Sequence, residues 1–197
     1  MLRMGVAGLD LRLKPSVYVI EFFRAFCRKK LSAMKIRIHG DYHLGHVLYA
    51  GNDFAIIDFE GEPARSPSER RIKRSPIRDV AGMIRSFHYA AYSSILRNYS
   101  LGAREQAELG QWADLWYKFV AGAFLRSYLD AVGNAPFIPR AHDELRTMLS
   151  SFLLEKAVYE LGYELGNRPD WIIIPIQGHK GFTLKMRSLW LKRFSTT

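Results

Sequence analysis

A chain of 197 residues, 48% of them apolar, is long enough to bury one good core. The formal net charge of +10 attracts anions in general. Yet the basic runs lack the aromatic interleaving of a base-stacking surface, no apolar stretch reaches bilayer-spanning length, and the first residues lack the order of a secretory signal. Cys27 is the only cysteine, so no internal disulfide forms; its apolar, basic surroundings predict a buried thiol and a reducing, cytoplasmic setting. Neither nucleic acid nor membrane is expected as a partner.

In chain order, Pro15 opens a predicted helix from about Ser16 to Leu31, with Val17, Ile20, Phe23, Ala25 and Cys27 on a broad apolar face. Ile36 to Ile38 reads as a short strand leading into His39. Val47 to Ala50 and Phe54 to Ile57 read as two strands turned by Gly51, Asn52 and Asp53, a strong hairpin signal. Glu60 to Pro76, rich in Pro, Ser and Arg, reads as an extended surface loop. Three helices follow: Ile77 to Ser94 or beyond with Val80, Met83, Ile84 and Phe87 inward, Ala103 to Val132 with Trp112, Leu115, Trp116, Phe119 and Phe124 as its core stripe, and Ala141 or Asp143 to about Leu165. Gly133, Asn134 and Pro136 separate the last two. The fold class is therefore α+β, predominantly helical, in a single domain over 1–197 with a core of about 16–176 and a basic tail over 177–197.

The hairpin carries the chemistry. Asp41 enters its first strand and Asp58 leaves its second, so a closed hairpin brings the two acids to one place. Phosphoryl transfer uses such a pair: one carboxylate orients the attacking hydroxyl, the other holds the metal bridging the ATP phosphates, and a further ligand lies five positions after the first. That position is His46. Imidazole nitrogen is an unusual donor for Mg2+, which prefers oxygen, so weakened Mg2+ affinity is expected.

The stretches HGDYHLGHVL, IIDFEGEPARSPSERR, SPIRDVAGMIRSFHYAA and LLEKAVYELGYELGNRPDWIIIPI resemble the aminoglycoside phosphotransferase and choline kinase superfamily and, within it, the bacterial maltokinases. The resemblance covers about Val17 to Ile176. It implies a kinase-like carboxy-terminal lobe and transfer from ATP to maltose, giving maltose 1-phosphate. Asp41 would be the catalytic group, with Asp58 and His46 holding Mg2+. His39, Glu60 and Asp79 would brace the loop or tune the metal surroundings. For the sugar, Glu155, Tyr159 and Tyr163 recur at four-residue spacing with Lys156 beside them, and Arg85, Tyr89 and Tyr92 are weaker candidates. ATP and Mg2+ are the implied cofactors.

Only thirty-eight residues precede His39, and none resembles the nucleotide-clamping lobe of such kinases. The resemblance therefore implies a truncated or split reading frame, whose partners would be a separate amino-terminal lobe or trehalose synthase. Alternative readings are a phosphotransferase for another small alcohol or an aminoglycoside, and an inactive fragment serving as an interaction module.

Overall fold

The computed structural model describes residues 14–28, 30–98 and 100–177; the basic tail beyond 177 lies outside them. Two compact units divide the chain, 1–32 and 33–197. The first holds helix α1, Lys14–Cys27, in which Phe22 and Phe23 meet edge to face. Cys27 is exposed rather than buried: it lies seven residues beyond Ile20, hence on the same side of the helix, and that side is open to solvent.

The second unit is mostly helical with one small sheet. Strands β1 (Val47–Tyr49) and β2 (Phe54–Ile56) pair antiparallel with Val47 opposite Ile56, closed through Gly51 at φ 81°. The expected strand at Ile36 to Ile38 is reduced to a single bridge, Ile36 to Arg74. Within the expected loop from Glu60 to Pro76 sits a one-turn helix, α2 (Pro67–Arg70). Its Ser66–Glu69 capping box is an S-x-x-E signature that the Pro and Arg content masks.

Helices α3 (Ile77–Leu96), α4 (Ala103–Val132) and α5 (His142–Asn167) form the body. The core gathers on α3, where Ile77, Val80, Met83, Ile84 and Phe87 are buried, and on α5, through Met148, Leu154 and Ala157. Helix α4 packs by a stripe that shares only Phe124 with the expected one. Ala113 is buried, Tyr117 meets His88 edge-on, and Phe124 meets Phe87, whereas Trp112, Leu115, Trp116 and Phe119 are exposed. The helix is apolar on both sides, so periodicity identifies the helix without choosing the side that meets α3.

Polar contacts join these helices. Arg85 of α3 donates twice to Glu160 of α5, at 2.9 and 2.6 Å, with both side chains almost wholly buried. The Tyr89 hydroxyl donates to Glu164, and that of Tyr92 to Asp114. Arg85, Tyr89 and Tyr92 are thus engaged in joining the helices and do not line the cleft beside Asp41. His88, buried beside them with its Nδ1 unpaired, is kept neutral because burial and then the neighbouring Arg85 charge lower its pKa to about 3.

Candidate active site

One face of α3 builds the loop that carries Asp41. Asp79, Gly82 and Ser86 are spaced three and four apart and so align along the helix. The Asp79 carboxylate accepts from the backbone N–H groups of His39 (2.7 Å) and Gly40 (3.0 Å), and the Ser86 hydroxyl accepts from Leu44 N (3.1 Å). Between them, a Cβ on Gly82 would stand 2.7 Å from the Tyr42 carbonyl oxygen, so the loop backbone rests where only glycine leaves room. Burial raises the Asp79 pKa despite its two N–H donors. Where the chain crosses itself, Gly40 (φ 90°) and Gly61 (φ 82°) lie backbone to backbone, a Cβ on Gly40 falling 3.4 Å from the Gly61 Cα.

Hydrogen bonds assign the three histidines of the loop different roles. His39 Nδ1 accepts from Asp41 N at 3.4 Å, so Nε2 carries the hydrogen it gives to the Ile57 carbonyl at 2.8 Å, tying the loop to the end of β2. His43 Nδ1 accepts from Gly45 N at 3.0 Å, leaving its Nε2–H turned toward Asp41 Oδ2 at 3.7 Å. His46 is the reverse: Nδ1 donates to the Asp41 carbonyl at 2.9 Å, and Nε2 faces Asp58 Oδ2 at 3.1 Å. Its ring is clasped between those of His39 and His43, with centroids at 5.5 and 3.9 Å.

His46 therefore links the main-chain carbonyl of Asp41 to the carboxylate of Asp58. Asp58 holds φ 66°, a conformation uncommon outside glycine though best tolerated by Asp and Asn, which turns the chain just as β2 ends. Donor atoms of Asp41, His43 and His46 lie within 4.8 Å of one another. His43, however, can ligate a cation through Nε2 only by giving up its bond from Gly45. His46 holds its Nδ1 on a carbonyl and aims Nε2 at the Asp58 carboxylate, the arrangement that orients metal-binding histidines. Asp58 and His46 fit a divalent cation, with one oxygen and one nitrogen donor. Glu60 lies exposed in the turn beyond.

The Asp41 carboxylate lines a small, solvent-open cleft between the loop, α3 and α5. The α5 wall is Phe152, Glu155, Lys156 and Tyr159, one helical stripe. Lys156 Nζ stands 3.4 Å from Asp41 Oδ1, 3.8 Å from Glu62 Oε2 and 5.1 Å above the Tyr159 ring, while the Tyr159 hydroxyl donates to Glu62 at 3.0 Å. Burial alone would raise the Asp41 pKa, but the His43 ring and the Lys156 ammonium outweigh it and hold the value at about 2. Burial and the Glu62 charge push the Tyr159 phenol up to about 12. Glu155 accepts from Arg78 at 2.8 Å.

Of the expected sugar-site residues, Glu155, Lys156 and Tyr159 line this cleft together with Asp41. Tyr163 does not: one turn further along α5, its ring faces Arg168 at 5.6 Å. Glu62, Arg65, Arg78 and Phe152 are cleft residues that the sequence reading missed. Phe152 could have been found by extending the α5 stripe one turn back from Glu155 and Lys156. Glu62 has no local signal beyond its place in the IDFEGEP stretch.

No protein-family model matches the chain. It is similar to glucosamine kinase of Streptacidiphilus jiangxiensis, 26% identical over 141 residues, which are 71% of this chain and 30% of that protein. A second relative, glucosamine kinase of Mycolicibacterium smegmatis (strain ATCC 700084 / mc(2)155), is 28% identical over 148 residues, 70% of this chain and 32% of that protein. The chain thus spans about a third of the length of these curated relatives. A solved glucosamine kinase, crystal form A, superposes with a TM-score of 0.74 at 20% identity, over 89% of this chain and 41% of that one. The fold is shared. A glucosamine kinase in complex with glucosamine, ADP and inorganic phosphate gives a TM-score of 0.72 at 19% identity, over 89% and 42% of the two chains. Over its matched length the chain shares the fold of part of these glucosamine kinase structures.

Proposed function

We propose that this chain forms the acceptor-binding part of an ATP-dependent sugar kinase, as a kinase-like carboxy-terminal lobe. The observation that carries the reading is the placement of an ionised Asp41 at the mouth of a polar, aromatic-lined cleft, one histidine away from Asp58. Asp41 orients the sugar hydroxyl and accepts its hydrogen. Because phosphoryl transfer passes through a loose transition state, alignment matters more than base strength, and a carboxylate with a pKa of about 2 suits that task. Asp79 and His39 keep the loop in register. A divalent cation such as Mg2+, held by Asp58 and His46, would supply neutralisation of phosphate charge.

Two acceptors have separate support. The motif resemblance favours maltose, and the trehalose synthase partnership rests on the same resemblance. The named relatives favour glucosamine. An ATP-dependent phosphorylation assay on the protein joined to a nucleotide-binding lobe, run with glucosamine, maltose and an aminoglycoside, tests the reading. Transfer to a sugar that disappears in Asp41→Asn supports it. Transfer to none of them, or undiminished transfer by Asp41→Asn, overturns it.

A further inference from the structure

We infer that the arginines of the 65–78 segment form an anion subsite of the phosphate class, adjoining the acceptor cleft and separate from the Asp58–His46 pair. A shallow, solvent-open depression beside the first cleft shares Gly40, Glu62, Arg65 and Arg78 with it. Arg70 and Arg74 complete its basic wall. Four arginines thus face two acids, and both acids are engaged elsewhere. Glu69 accepts from the Ser66 backbone and hydroxyl in the α2 capping box, and Glu62 holds Tyr159 and Lys156.

The arginines differ in how they are satisfied. Arg70 is structural, giving Nε to the Arg65 carbonyl and Nη2 to that of Pro63. Arg65 and Arg78 converge on a single oxygen of Glu155, at 4.0 and 2.8 Å, so the fold already seats one anion between two guanidinium groups. Arg74 is half-buried, and among the described residues its guanidinium has no hydrogen bond or ion pair. Burial, followed by the like charges of Arg78 and Arg65, lowers its pKa. The Glu155 and Glu69 charges offset this in part, yet a partly desolvated cation beside two others still favours a further anion, and planar guanidinium forks match tetrahedral oxyanions. A phosphate monoester, or free inorganic phosphate, has the charge and oxygen count to engage Arg65, Arg74 and Arg78 together. Because the clefts share a wall, the anionic end of a sugar phosphate could lie here with its ring in the acceptor cleft.

The test needs no nucleotide and no turnover, so it can fail independently of the kinase reading. Inorganic phosphate and a hexose 6-phosphate are titrated into the full chain by calorimetry at constant ionic strength, with chloride as the reference anion. Saturable binding is expected, weakened about tenfold by Arg74→Gln, the loss of one charge-assisted contact. Arg74→Gln removes no intramolecular partner, and an unchanged circular dichroism spectrum verifies its fold. Arg104→Gln, on the exposed start of α4, is the charge-matched control and should bind as the parent does. Stronger binding of the hexose phosphate or equal binding of both ligands each upholds the subsite, the first placing the sugar in the adjoining cleft. Phosphate behaving as chloride does, full binding by Arg74→Gln, or equal losses in the two variants would overturn it.

Discussion

In the proposed reading, Asp41 and His46 carry the chemistry at single positions. The Asp41 pKa falls from 3.8 to about 2 on folding, so its ionised form stabilises the native state above pH 3.8, and that contribution is lost as pH falls toward 2. Asp79, shifted upward, acts in the opposite sense: the folded protein holds its proton more tightly, so its contribution falls as pH rises from 3.8 through the folded value. Asp41→Asn should remove roughly 1 to 2 kcal/mol of acid-dependent stability, after discounting for solvent. Urea melts between pH 2 and 4 would show a flatter pH dependence than the parent. In the completed enzyme the same variant should lower turnover by about 10²- to 10⁴-fold while leaving nucleotide affinity alone. At His46 the expected change is a selectivity switch. His46→Gln should bind Mg2+ more tightly and Zn2+ more weakly in a metal titration, because it exchanges nitrogen for oxygen. No gain in Mg2+ affinity would mean that the imidazole carries no penalty for that ion.

At the level of elements, α3 does two jobs with two faces. Its Asp79, Gly82 and Ser86 face carries the HGD loop, and the neighbouring face fills the core. Gly82→Ala should cost about 1 to 3 kcal/mol in thermal or chemical unfolding, since the Tyr42 carbonyl is backbone and cannot swing aside. The α3 to α5 join rests on Arg85 and Glu160. Arg85→Met should destabilise by about 3 to 5 kcal/mol by stranding the buried carboxylate, and adding Glu160→Met should recover much of that loss. Much of this level was legible in the sequence. The hairpin, the helix spans and the α3 core follow from turn chemistry and period, which are local. The α4 packing side, Tyr163's place beyond the cleft and the contributions of Glu62 and Arg78 were not, because each depends on which neighbour a helix or loop meets. The three histidines were legible as candidates, but their division of labour depends on which backbone groups each ring nitrogen reaches.

On the scale of the whole molecule, apolar surface is left open on the hairpin as well as on α4. Leu48, Tyr49, Phe54 and Ile56 of the hairpin are exposed, as is Phe59 just beyond it. In the chain's matched relatives most of the protein lies outside the matched part. The Asp41 cleft, in contrast, is assembled within the unit 33–197, from the loop, α3, α5 and the segment after β2. Sugar recognition should therefore be measurable without nucleotide. The most direct measurement is a titration of glucosamine and of maltose into the isotope-labelled chain, followed by amide chemical shifts. One of the two should move the resonances of Gly40 to Tyr42, Glu62, Lys156 and Tyr159 in a saturable way, with weaker binding in Tyr159→Ala. Shifts confined to other surfaces, or none with either sugar at millimolar concentration, would contradict the assignment of this cleft as the acceptor site.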